Sequence, residues 1–217
     1  MGRKTADVLI IDYQMSNLHS VEAACRYVGL TPLISSDPQL VTQARALILP
    51  GVGAFGRAMN SLDQLGLTSA IVRFIETGRP FLGICLGLQL LLTESDEFGN
   101  HQGLDIIPGQ VQRFTADPDA TAKFLVPQIG WNSIQKDCAT WDDTLLSGIR
   151  ENELMYFVHS FFGVPKEPSA CIGQTEYAGT RYCSAIRKDN VSAFQFHPEK
   201  SGSAGLSIYR NFRRQID

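Results

Sequence analysis

The segment Pro80-Phe81-Leu82-Gly83-Ile84-Cys85-Leu86-Gly87 constrains this chain more than any other. An apolar, strand-like run from Pro80 to Ile84 passes into a second apolar run, Leu86 to Thr93. Between them stands a cysteine with a glycine two places away on each side. A strand that turns directly into a helix needs a tight elbow, and flanking glycines avoid side-chain clashes while leaving the central residue exposed. Such junctions belong to folds in which helices pack against an open sheet.

The rest of the first half reads the same way, as short apolar runs alternating with amphipathic stretches, the pattern of βαβ units. Strands are expected at Val8–Ile11, Thr31–Ser35, Ala46–Leu49 and Pro80–Ile84. Helices are expected at Asn17–Val28, from Pro38, at Phe55–Leu65, at Thr68–Glu76 and at Leu86–Thr93. After Gly99 the texture changes to short β-like runs at 109–114, 133–135, 154–158, 170–175, 183–187 and 191–196, before a closing helix over 203–214. The expected fold is therefore α/β: an open, mostly parallel sheet flanked by helices, with a smaller mixed or antiparallel layer from the second half.

A chain of 217 residues suits one domain spanning 1–217, because a single core still grows at that size. Hydrophobic residues at 44% and charged residues at 19% exclude disorder and a membrane class. With a net charge of -3 and no long basic run, nucleic acid is not an expected partner, and Arg210, Arg213 and Arg214 read as a solvated face of the last helix. Five cysteines with no CxxC pair signal neither a disulfide framework nor a zinc site, and free thiols suit the cytoplasm. The N-terminus carries no apolar leader. No metal or cofactor is expected.

Chemistry centres on Cys85. A helix starting after it would point amide N–H groups and a positive dipole end at the sulfur, favouring thiolate, and the Leu86 N–H would face a tetrahedral oxyanion. The other four cysteines lack such a context. A thiolate acting on an amide needs a general base that later protonates the leaving nitrogen, which suits histidine. Of four histidines, His19 falls in the first helix and His101 in a polar loop, where surface or capping roles are expected, and His159 follows an apolar strand as a core histidine would. His197 ends a strand and precedes Pro198-Glu199. Proline biases it to an extended conformation in which residues i and i+2 share a side, so Glu199 can orient the imidazole.

One loop invites a different reading. Gly51-Val52-Gly53-Ala54-Phe55-Gly56 is formally GxGxxG between a strand and a helix, the dinucleotide pattern. It does not follow the first strand, however, and the next strand ends in the cysteine elbow where a ribose-binding acid would be needed. The alternative is that Pro50 to Gly53 supplies backbone N–H groups to an oxyanion, both loops lying at the C-terminal edge of the sheet.

With GICLGLQ (83–89) and QFHPEKS (195–201) together, the chain resembles the class I, triad-type glutamine amidotransferases. Within that class, IDYQMSNLHSV (11–21), LPGVGAF (49–55), VPQIGWN (126–132), YFVHSFF (156–162) and GLSIYRNF (205–212) are similar to the glutaminase subunits of imidazole glycerol phosphate synthases, in a match covering nearly the whole chain. The resemblance implies Cys85 as nucleophile, His197 as base and Glu199 as its orienter, with Val52, Gly53 and Leu86 at the oxyanion. It implies that Gln89, Glu97 and the backbone around His159, Ser160 and Phe161 hold glutamine. It further implies that ammonia passes to a (β/α)-barrel cyclase partner facing Trp131, Asn132 and Lys200, and that the glutaminase is poorly active until that partner is occupied. Gln14 and Ser16 stand where the family's first loop usually has glycines, and Gln128 where histidine is common. The triad motifs are unaffected. Two alternatives stay open: a paralogous subunit supplying ammonia to amidinate a surface-polysaccharide sugar, and a stand-alone γ-glutamyl cysteine hydrolase.

Overall fold

The computed structural model describes residues 6–15, 17–115, 125–138 and 140–216; the first five residues and Ser16 lie outside that description. In chain order the strands are β1 (Val8–Ile11), β2 (Pro32–Ser35), β3 (Leu47–Gly51), β4 (Phe81–Cys85), β5 (Leu92–Ser95), β6 (His101–Gln102) and β7 (Ile107–Arg113). They continue with β8 (Gln128–Lys136), β9 (Glu153–His159), β10 (Phe161–Pro165), β11 (Cys171–Tyr177), β12 (Thr180–Lys188) and β13 (Val191–Phe194). The helices are α1 (Leu18–Tyr27), α2 (Pro38–Gln43), α3 (Phe55–Gln64), α4 (Leu67–Glu76), α5 (Leu86–Leu90) and α6 (Gly202–Ile216).

Among the described residues, nine strands form the main sheet in the order β2-β1-β3-β4-β13-β12-β11-β8-β9, and four form a second sheet in the order β10-β7-β5-β6. The first five strands of the main sheet run parallel. From β13 onward the pairing is antiparallel. Both faces are covered. Leu9 and Ile11 of β1 belong to one core cluster, Val8 and Ile10 to the other, which is why the parallel strands read as unbroken apolar runs.

The long helix expected after Cys85 stops early: α5 ends at Leu90, and Leu92–Ser95 is a strand. Carbonyls that would continue the helix are claimed by a later segment. Leu104 N–H donates to Leu90, Ile106 and Ile107 to Leu91, and Gly103 to Thr93. An all-apolar run has no periodicity with which to separate these outcomes. α5 nevertheless packs tightly: a Cβ on Gly87 would overlap the Leu49 carbonyl, so only glycine lets the elbow rest on β3.

The arginines of α6 are not uniformly solvated. Arg213 donates to the Val28 carbonyl at the end of α1 at 2.7 Å, while Arg210 and Arg214 bond within their own helix. No helix among the described residues is long and apolar enough to cross a membrane, and no cluster of three or more His, Cys, Asp or Glu is placed to hold a metal ion.

Candidate active site

Cys85 sits where β4 meets α5, with φ +55° and ψ −108°. A non-glycine residue at positive φ is strained, and here the strain turns the side chain out of the sheet plane at its C-terminal edge. The neighbouring strand ends alongside it, because Gly51 pairs with Cys85. The thiol is only 6% exposed and faces a cavity of about 250 Å³. That cavity is lined by every oxyanion and glutamine-binding candidate, namely Val52, Gly53, Leu86, Gln89, Glu97, His159, Ser160 and Phe161, and also by Pro127 and Val158.

His197 and Glu199 lie behind the sulfur. The His197 backbone is pinned by its N–H to the Tyr156 carbonyl at 2.9 Å, and Nδ1 meets Glu199 Oε1 at 2.7 Å with both side chains buried. The carboxylate can only accept, so Nδ1 carries the proton and Nε2 is left for the sulfur side. Burial opposes protonation of His197, but the charge of Cys85 and then the bond and charge of Glu199 outweigh it, and the imidazole is pushed up from 6.5 to about 10. A cysteine beside an imidazole held by a carboxylate is an arrangement competent for nucleophilic attack on a carbonyl and for proton delivery to a leaving amine.

The substrate side is polar and pre-organised. Gln89 Nε2 donates to the Phe161 carbonyl at 2.8 Å and to Gln195 Oε1 at 3.1 Å. Glu97 Oε2 accepts from the Phe55 N–H at 2.6 Å, at the first turn of α3, and burial pushes its carboxyl up while that N–H opposes the shift. His159 is a buried structural residue. Its Nδ1 donates to the Phe161 carbonyl at 2.8 Å, its Nε2 lies 3.3 Å from the Tyr182 hydroxyl, and burial pushes its pKa down to about 4, so it stays neutral.

The glycine loop has structural reasons for its glycines. A Cβ on Gly51 would strike the Tyr13 hydroxyl, Gly53 has φ +101°, and a Cβ on Gly56 would meet the His101 ring. His101 thus lies against α3 in β6, not in a loop. The Val52 N–H donates to the Met15 carbonyl at 2.9 Å, so in this conformation it is turned away from the cavity. The Leu86 N–H heads α5 beside the sulfur.

Trp131 pairs across the β8–β9 hairpin with Tyr156, ring to ring at 6.0 Å, and Lys200 Nζ lies 5.7 Å from the Tyr156 ring. Ile129, Trp131 and Leu154 are more than half exposed on that face, an apolar patch of the kind that marks an interaction site. Asn132 points the other way: its Nδ2 donates to the Glu176 carbonyl at 2.8 Å, tying β8 to β11.

Sequence reasoning missed Gln195, whose Nε2 donates to Cys85 Sγ at 3.7 Å. The signal was available, since Gln195, His197 and Glu199 are spaced by two. Tyr13, Met15 and Tyr182 carried no comparable signal, because their positions depend on how distant loops meet.

The glutamine amidotransferase class-I family model matches residues 9–216. The chain is 46% identical over 205 residues to the imidazole glycerol phosphate synthase subunit HisH of Chlorobium luteolum, covering 94% of this chain and 98% of the relative. It is 44% identical over 213 residues to the subunit of the same name from Aquifex aeolicus, covering 96% and 97%. Among solved structures, that of PurLQS from Thermotoga maritima matches with a TM-score of 0.72 at 16% identity, over 97% of this chain and 98% of the other, a likeness of fold.

Proposed function

Because the chain belongs to the class I glutamine amidotransferases, we propose that it is the glutaminase subunit of an imidazole glycerol phosphate synthase, releasing ammonia from glutamine for a (β/α)-barrel cyclase partner. Identities of 46% and 44% in nearly full-length matches to subunits of that name support the assignment. The observation that carries the chemistry is the buried His197–Glu199 pair beside an elbow cysteine.

In this reading Cys85 thiolate attacks the glutamine carboxamide carbon, and the developing oxyanion takes the Leu86 N–H. His197 passes a proton to the departing nitrogen; the C–N bond breaks, ammonia leaves, and the γ-glutamyl group remains on Cys85 as a thioester. Water, deprotonated by His197, then attacks the thioester; sulfur leaves as thiolate and glutamate is released. Glu199 holds the imidazole tautomer and offsets the imidazolium charge throughout. Gln89, Glu97 and the backbone at His159 to Phe161 hold the amino-acid head group, Glu97 through the oxygen that Phe55 does not use. Val52 and Gly53 complete the oxyanion site once the Val52 N–H leaves the Met15 carbonyl, which fits an enzyme that is slow until its partner is occupied.

The exposed face of the β8–β9 hairpin, with Trp131 and Lys200, receives the barrel. Asn132 supports that face from within the sheet. The chain acts as one domain over 1–217, in the cytoplasm. Mixing the chain with a histidine-type cyclase tests the assignment. Glutamine hydrolysis should rise on assembly and drive synthesis of imidazole glycerol phosphate. Unstimulated, robust hydrolysis by the isolated chain would favour a stand-alone hydrolase, and stimulation only by a sugar amidotransferase would favour the polysaccharide route.

A further inference from the structure

We propose that Gln195 is a fourth catalytic group, whose side-chain amide donates to Cys85 Sγ and stabilises it as thiolate both before attack and when it leaves the thioester. The inference rests on Cys85 being the nucleophile.

Gln195 follows β13, is fully buried, and is anchored by its own N–H to the Ser184 carbonyl at 2.9 Å. An amide side chain can present oxygen or nitrogen, and the choice must be argued from its surroundings. Here it follows from a group that cannot flip. The Phe161 backbone carbonyl can only accept, so the group that Gln89 turns toward it at 2.8 Å is Nε2. The second hydrogen of that nitrogen points to Gln195 at 3.1 Å, which must therefore show it Oε1. Gln195 Nε2 is then the end that faces Cys85 Sγ at 3.7 Å. Flipping Gln195 would set nitrogen against nitrogen at one end and oxygen against sulfur at the other.

The sulfur is thus flanked by two groups of different kind from the segment that follows β13. His197 supplies a movable proton, Gln195 a fixed one. A fixed N–H favours the charged form of sulfur over the thiol and over the thioester, whose sulfur accepts poorly. It therefore lowers the barrier in the step that forms thiolate from thioester. The same amide joins Gln89, which lines the substrate cavity, to the reacting atom.

The test uses the chain assembled with its cyclase and compares wild type with Gln195→Met and Gln195→Glu. Cys85 alkylation by iodoacetamide is followed against pH, together with glutamine kcat and KM. Co-elution with the cyclase on size-exclusion chromatography reports assembly in each case. We expect the alkylation profile of Gln195→Met to move to higher pH and kcat to fall about tenfold, the scale of one bond to a charged group. Gln195→Glu, equal in size but with an acceptor against sulfur, should move the profile further. An assembled Gln195→Glu complex with the wild-type profile and kcat would overturn the proposal, and it decides the matter should Gln195→Met fail to assemble. Glutamine turnover that survives Cys85→Ala would instead sink the nucleophile assignment beneath it.

Discussion

At the residue scale the account depends on where protons sit. Glu199 Oε1 accepts from His197 Nδ1, so Glu199→Gln keeps the shape and removes the charge that holds the tautomer. Its kcat with glutamine should fall on the order of 100-fold or more, measured in the assembled complex, while ammonia-driven synthesis persists. His197 also leaves a mark on stability. Its pKa rises on folding from 6.5 to about 10, so its contribution is complete below 6.5 and is lost as pH rises through about 10. Urea midpoints of wild type should therefore decline relative to His197→Gln between those limits; parallel profiles would mean that the imidazole is not charged in the fold. The elbow position of Cys85 and the pairing of His197 with Glu199 were legible in the sequence because each sits in a short local pattern: glycines around an elbow, proline after histidine, and a spacing of two. Met15, against which Val52 is held, was not, because a backbone carbonyl carries no signature in the side-chain sequence.

At the scale of elements, legibility followed periodicity. The parallel strands and the helices α1, α3, α4 and α6 were expected within a residue or two of where they lie, since their buried positions recur at helical or strand spacing. The small sheet was foreseen as a layer, but of its strands only β7 was read. β5 was taken for helix because Leu90, Leu91 and Leu92 are buried alike, and β6 is only two residues long. The β8–β9 hairpin shows its side by alternation, with Ile129 and Trp131 outward. If that face receives the barrel, Trp131→Ala should weaken assembly about tenfold or more by titration, as truncating an interface aromatic does. The loop from Gly51 to Gly53 makes a second element-scale prediction. The Val52 amide, bonded to Met15, should be protected from hydrogen exchange in the isolated chain and lose protection when the loaded partner is added. Unchanged protection would mean that the loop does not take part in activation.

At the scale of the whole molecule, the sheet places Cys85 between two surfaces. One is the cavity lined by Gln89, Glu97 and residues 158–161, which the proposed function assigns to glutamine. The other is the outer face of the β8–β9 hairpin, reached through Val158 and Tyr156, whose carbonyls lie against Cys85 and His197. Under the proposed function, ammonia made at the sulfur would be released beside the strand that carries the exposed apolar patch. This division of labour predicts that glutaminase chemistry and synthesis separate cleanly by mutation. The most direct measurement compares Cys85→Ala with wild type, each assembled with its cyclase, using glutamine and then ammonium salt as nitrogen source. Glutamine-dependent synthesis should drop on the order of 10,000-fold while ammonia-dependent synthesis stays at the wild-type rate. Glutamine-dependent synthesis that persists in the variant would contradict the account.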